Sequence, residues 1–462
     1  MGRKRGFFKS HLSIRSGIFF LLILSGFLSY SQGGERPTEE QIEQRKVEME
    51  RFMRHMERDP EGARDSMKRA RIKWNLAEAL ERVDWYNSNN NLDTLKEIDL
   101  SYAQLTKIPE FVYQAKNLET LVLDYNLITK LPRQLRELDS LKKIYWRENK
   151  LGSIRPKISK LPQVKKLSLA DNSLIKLPKT KRLAGLEILE LKENEFEEIP
   201  INRLKKNKKL KELAMGANPL LLGKAKYKKL AFLKIFKGNN CELTSIDESF
   251  YEMTGLDEIQ LQENLLERLP EGISSLENLA KFSCYKNKLT TLPSDFFELK
   301  KLKVADLYYN QLEVIPKELG NLDSLEVLYL SHNKIFSLPN ELGQLTKLKE
   351  LYLHHNRLSV LPASLKNLDS LKVVRVNNNY LLDFPIQFLN IESLEEVDVD
   401  NNELTTLPAG VELMSSLTLI TFQNNAIDLQ SEQNAHIPAM IERMLKRGVF
   451  CKPAIYQEST GL

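Results

Sequence analysis

From position 95 onward, apolar and polar residues alternate over short runs, reset, and repeat with a constant period. Four windows show the pattern: LKVADLYYNQLEVIP (302–316), LEVLYLSHNKIFSLP (325–339), LKELYLHHNRLSVLP (348–362) and LEEVDVDNNELTTLP (394–408). The shared template is LxxLxLxxNxLxxLP. Its central LxL has the two-residue period of a strand. Positions four and six therefore point one way, into a core, and positions three, five and seven point the other way. A run this short cannot complete an amphipathic helix, so each unit predicts one short strand followed by a turn.

The asparagine at position nine falls at residues 126, 149, 172, 194, 218, 264, 287, 310, 333, 356, 379, 402 and 425, with Cys241 in one unit and Ala103 in the first, which makes fifteen units. The period is 23, apart from single steps of 22 and 24. An amide carries both donors and acceptors, so at a bend it can satisfy backbone groups of its own and the adjacent coil. A thiol at Cys241 can donate weakly into the same ladder. Ala103 lies in the first coil, which has no preceding neighbour to serve. Eleven units carry the proline of the LP pair, which fixes φ and lacks an N–H, and so favours an extended or irregular return over a long helix.

Fifteen such units in register resemble the leucine-rich repeat family, of the kind that ends its variable part in LP, as found in exported bacterial members. The resemblance covers residues 95–430. It implies an α/β solenoid, a right-handed horseshoe with a concave parallel β-sheet. Because each coil touches only its neighbours, both ends need caps. The sequence supplies helical candidates. Thr38 to Gln41 is a capping box for a helix reaching about Arg58. A second helix near 61–86 places Ile72, Leu76, Leu80 and Val83 on one stripe. Residues 437–447 form an amphipathic segment stopped by Gly448.

Residues 1–31 stand apart. Arg3, Lys4, Arg5, Lys9 and Arg15 precede a short apolar run from Gly17 to Leu28, with small residues before Gln32. This is the pattern of a secretory signal peptide, and the run is shorter than the ~20 residues that span a bilayer. The expected organisation is thus a signal peptide at 1–31, a helical N-terminal region and cap at 32–91, the repeat solenoid at 92–430, and a C-terminal helical cap and tail at 431–462. The formal charge of +6 includes five from the leader, leaving about +1. That balance gives no general argument for nucleic-acid binding. Three cysteines are too few for a disulfide framework in an exported protein of this length.

Aligning the coils turns distant letters into neighbours. Position seven runs Tyr285, Tyr308, Ser331, His354; position eight runs Lys286, Tyr309, His332, His355; position five runs Asp306, Tyr329, Tyr352, Arg375. Tyr285, Tyr308, Tyr309, Tyr329 and Tyr352 with His332, His354 and His355 form an aromatic patch over four consecutive units, and Arg375 and Asp306 flank it. Aromatic groups with polar tips favour interface centres, because they bury much area for little lost side-chain entropy. Drift of solvated strand positions would also produce such a cluster. The three histidines can approach one another, but no fourth ligand is compelled, so no metal and no cofactor are expected. If the imidazoles titrate near their ordinary value, binding would depend on mild acid.

A basic stretch, 203–237, holds eleven lysines and one arginine against Glu212 alone. A polyanion could bind there, although such runs are usually solvated faces; no aromatic platform for bases is interleaved with it. GANPLLLGK (216–224) has the wrong glycine spacing for a phosphate loop, and GxSxG, HExxH, CxxC and GxGxxG are absent. Cys284 takes a core position, and the spacing of His436 and Cys451 says nothing about geometry. The expected function is non-enzymatic binding of another macromolecule, a protein or else a glycan or other surface polymer, with no specific nucleic acid, by an exported solenoid. Two alternatives stay open: an intracellular signalling scaffold, since the LP repeats also resemble those of cytoplasmic Ras-pathway adaptors, and a structural surface protein.

Overall fold

The computed structural model describes residues 75–89, 91–151, 157–158, 160–177 and 182–452. The leader, the capping box at Thr38 and Ile72 lie outside them. All described residues belong to one compact unit, Asn75–Leu462.

Its centre is a sixteen-stranded parallel sheet whose spatial order follows the chain from Glu97–Asp99 to Phe450–Lys452. Each repeat contributes its positions three to five as a strand, and every pair is in phase. Tyr329, for example, sits opposite Tyr352, and Leu328 opposite Leu351. The sheet is open, since its first and last strands each pair with one neighbour. This is the α/β solenoid that the repeat predicts.

The leucines do what their period requires. Leu328, Leu330, Leu351 and Leu353 are at most 1% exposed, and the core runs unbroken from Leu92 to Cys451. Proline sets the return segment. Pro293, Pro316, Pro339 and Pro362 are extended, and each is followed by a short 3-10 helix. Where Asp247 replaces proline, its carboxylate accepts from the Ser249 N–H and caps the same kind of turn.

The asparagine ladder is also as expected. Asn356 Oδ1 accepts from the Ile335 N–H of the preceding coil (3.0 Å), and Nδ2 donates to the carbonyls of Leu330 (3.0 Å) and Leu353 (2.8 Å). At Cys241 the thiol donates to the carbonyls of Met215 (3.3 Å) and Asn239 (3.4 Å). It cannot also accept as an amide oxygen does, and the Leu220 N–H turns instead to the Asn218 carbonyl at 2.8 Å.

Three features differ from the pattern-based expectation. Residues 75–88 are helical, but Leu80 is exposed, and the packed side is formed by Ala79, Val83 and Tyr86. Tyr86 stacks on Phe111 with centroids 5.8 Å apart, which rotates the helix away from a stripe centred on Leu80. The same helix sends Arg82 to donate to the Ser101 carbonyl (3.1 Å), beside the coil that has Ala103 in place of asparagine. The second difference lies at the C-terminal end. The helix Ile437–Lys446 buries Ile437, Met440 and Met444 as expected, with Gly448 at φ +84°. The chain then adds an unpredicted strand, Phe450–Lys452, which places the Cys451 side chain in the core. Third, position eight adopts a left-handed φ in all fifteen units, including Tyr309 (54°), His332 (53°) and His355 (55°), because the turn into the asparagine requires it whatever the side chain.

Candidate partner-binding surface

The in-phase sheet brings the predicted residues together. At position five, Tyr329 and Tyr352 stack with centroids 4.6 Å apart and planes 15° from parallel, on the face opposite the leucine core. The Arg375 guanidinium lies over Tyr352 at 5.6 Å and pairs with Glu396 at 3.3 Å. Tyr352 donates its hydroxyl to Glu350 Oε2 (2.9 Å). Its pKa rises out of the ordinary tyrosine range, first through burial and then through that bond.

Positions seven and eight make a second tier. Tyr309, His332 and His355 form a continuous stack, 4.1 Å and 3.9 Å between successive rings. The left-handed backbone at position eight holds these side chains in line, one per coil. Tyr308 packs edge-on against Tyr309 and His332, and reaches Tyr285 at 6.4 Å and His354 at 6.3 Å. His354 Nδ1 lies 2.8 Å from the hydroxyl of the fully buried Ser331. One ring nitrogen from each of His332, His354 and His355 lies within 4.8 Å of the other two.

The sequence treats His354 as exposed. It is half-buried, as is His332, while His355 is exposed. Burial, reinforced by the neighbouring imidazoles, lowers His332 and His354 each to about 4. The expected mild-acid switch therefore does not hold for these two, which stay neutral between pH 5 and 8.

Asp306 is half-buried on the same face. It accepts from Ser283 Oγ (3.2 Å) and from the Tyr308 N–H (3.4 Å), and burial pushes its carboxyl up. Its work is to fix the strand end, as Asp99 does for Ser101 N–H and Asp398 for Asp400 N–H.

Two features escape the sequence reading. Tyr102 and Tyr125, also at position eight, stack at 4.2 Å, and Arg147 lies 5.8 Å over Tyr125 while bridging Asp171 and Glu193. The position-eight column was the signal available for them. In the coils of the aromatic patch Val314, Phe336 and Val360, and in the next coil Leu382, are exposed on the segments just after the asparagine.

The basic stretch is partly dissolved into local contacts. Lys211, Lys234 and Lys237 pair with Glu187, Asp257 and Glu212, and Lys208 sits 4.6 Å over the Phe232 ring. Lys206, Lys209, Lys224, Lys226 and Lys228 remain exposed. The cysteines are buried thiols: burial pushes Cys241 up to about 11 and raises Cys284 and Cys451. His436 Nε2 lies 2.8 Å from the Leu407 carbonyl, and Cys451 Sγ donates to the Val449 carbonyl. Among the described residues no helix is long and apolar enough to cross a membrane.

Comparison with known proteins agrees with the architecture. The family defined as a leucine-rich repeat region matches residues 256–421. A leucine-rich repeat protein of Leptospira interrogans is similar at 28% identity, with TM-score 0.64 over 82% of this chain and 98% of that one. Toll from Drosophila, in its complex with Spatzle, is similar in fold at 22% identity and TM-score 0.62, over 74% of this chain and 49% of that one. An internalin from Listeria monocytogenes is 19% identical, with TM-score 0.50 over 83% and 95%. No curated protein sequence matches this chain. Solenoids of this fold generally serve as non-enzymatic, protein-binding scaffolds, using the extended strand face. In repeat and sheet topology alike the chain folds as a leucine-rich repeat solenoid, and residues 256–421 match the family itself.

Proposed function

We propose that this chain is an exported binding protein without catalytic activity, whose concave sheet face docks a protein partner over the aromatic patch. One observation carries the reading: five tyrosines and three histidines from four consecutive coils lie on the solvent side of the sheet in two stacked tiers. Such rings are already ordered by one another, so docking costs little further side-chain entropy. Tyr308, Tyr329, Tyr352, His354 and His355 are the anchors, and Arg375 gives orientation at the rim. The exposed Val314, Phe336 and Val360 of the same coils, with Leu382 of the next, offer a protein further apolar surface that a glycan would use less well. Export rests on the basic leader and its short apolar run.

The test is affinity capture from the native source with the wild-type chain and a variant carrying Tyr308, Tyr329, Tyr352 and His354 all as Ala. A protein retained by the wild type and lost by the variant is expected. Equal capture by both overturns the patch, and capture of polysaccharide alone replaces the protein partner with a glycan. N-terminal sequencing of the native protein checks export, with Gln32 expected as the first residue.

A further inference from the structure

We propose that His332, His354 and His355 form a binding site for a divalent transition-metal ion of the zinc class. Among the described residues this is the one group of three or more histidine, cysteine or acidic side chains placed closely enough to hold an ion. Their nitrogens lie within 4.8 Å of one another. Tetrahedral coordination at ~2.0–2.1 Å puts ligand nitrogens ~3.3 Å apart, so no pair has to close by more than ~1.5 Å. Three imidazoles with a fourth position left to water are a recurrent zinc set.

The backbone that carries the three rings is rigid. His332 and His355 hold the same left-handed position in adjoining coils, and the His332 N–H donates to the His354 carbonyl at 2.9 Å. The adjustment therefore falls to the rings. His354 already stands edge-on to both others, at 88° to His332 and 79° to His355. The His332 and His355 planes, now 18° apart, would tilt about χ2 to aim at one ion.

A second shell is in place. With Nδ1–H of His354 donating to the buried Ser331 hydroxyl, Nε2 keeps its lone pair free for the ion, the arrangement that fixes ligand tautomers in metal sites. Tyr309 backs His332 from the face away from His355, and Tyr308 packs against its edge. The positive charge of Arg375, which acts on His354, is held by Glu396.

This site shares side chains with the proposed docking surface but rests on geometry alone. The test uses the tag-free full chain, stripped of metal by chelator and titrated with zinc chloride by calorimetry and with cobalt(II) by visible absorption. One ion per chain, cobalt bands of tetrahedral type, and at least a tenfold weaker affinity in His354→Ala are expected, since even second-shell losses cost ten- to a hundredfold. His436→Ala, outside the cluster, and Tyr329→Ala/Tyr352→Ala, which removes docking anchors but no ligand, should bind as the wild type does. Ring-deleted variants are checked by circular dichroism, and His355→Ala removes an exposed ring should His354→Ala fail to fold. Absence of saturable binding, or affinity unchanged in both histidine variants, overturns the site. Loss of partner capture with metal binding intact would implicate the docking surface alone.

Discussion

Asn356→Ala tests the ladder that joins the coils of the aromatic patch. The side chain makes three bonds in the structure, but their loss is unequal. The Leu330 carbonyl also receives Asn333 Nδ2 (2.9 Å), and the Leu353 carbonyl also receives Asn379 Nδ2 (3.1 Å). Each carbonyl keeps a donor after the substitution. The Ile335 N–H, by contrast, is directed at Asn356 Oδ1, and Ile335 is fully buried. One orphaned buried donor costs roughly 1–3 kcal/mol, so about 2 kcal/mol is expected rather than the sum of three bonds. Repeat arrays depart readily from two-state unfolding, so a local measurement is preferable to a single midpoint. Hydrogen exchange read at the Ile335 amide should accelerate about thirtyfold, the factor that ~2 kcal/mol represents. Amides several coils away, such as Leu167 and Leu189, should be unchanged, and Arg357→Ala at the exposed neighbouring position should leave Ile335 within about 0.5 kcal/mol of wild type. If Ile335 exchanges at the wild-type rate in Asn356→Ala, the amide is not what satisfies that backbone, and the asparagine ladder does not join the coils.

Three further outcomes follow from the same structure. Cys241→Asn should restore an acceptor for the Leu220 N–H and raise stability toward urea by up to about 1 kcal/mol; a comparable loss would show that this coil is shaped around the thiol. The native chain should show no fast-reacting thiol with a disulfide reagent at pH 8 and three after denaturation, since all three cysteines are buried with raised pKa values. In metal-free protein, His332 and His354 are neutral in the fold down to about 4, whereas the unfolded chain takes up protons from about 6.5 downward. Their contribution is therefore full above about 6.5 and lost as pH falls toward about 4. Thermal stability of His354→Gln should fall less steeply than wild type across that window, and parallel curves would contradict the assigned burial.

Much of this architecture is written in one dimension because a solenoid converts sequence period directly into lateral contact. Leu328 meets Leu351, and Tyr329 meets Tyr352, simply because each pair is one repeat apart and every coil closes alike. The neighbours of His354 could accordingly be named before any coordinates. What the alignment does not carry is conformation within a position. The left-handed turn at position eight accepts Tyr309, His332, Asn378 and Ala217 without distinction, so no residue type announces it, yet it is what stacks Tyr309, His332 and His355 in a column. Leu80 failed as a core residue for a related reason. A helical stripe specifies which residues share a face, but the packing of Tyr86 on Phe111 decides which face turns inward.

Periodicity alone accounts for the repeat, the strand in each unit, the inward leucines, the asparagine ladder and the identity of the aromatic rows, since these depend on local alternation and on hydrogen bonds between successive coils. Packing in three dimensions was needed to set how far the rings are shielded from water, to pair Asp306 with Ser283 and the Tyr308 N–H, to add Phe450–Lys452 to the end of the sheet, and to bring three imidazole nitrogens together. Those properties depend on distances between side-chain tips and on exclusion of solvent, which are set by the summed packing of several coils and have no counterpart in the period of any one of them.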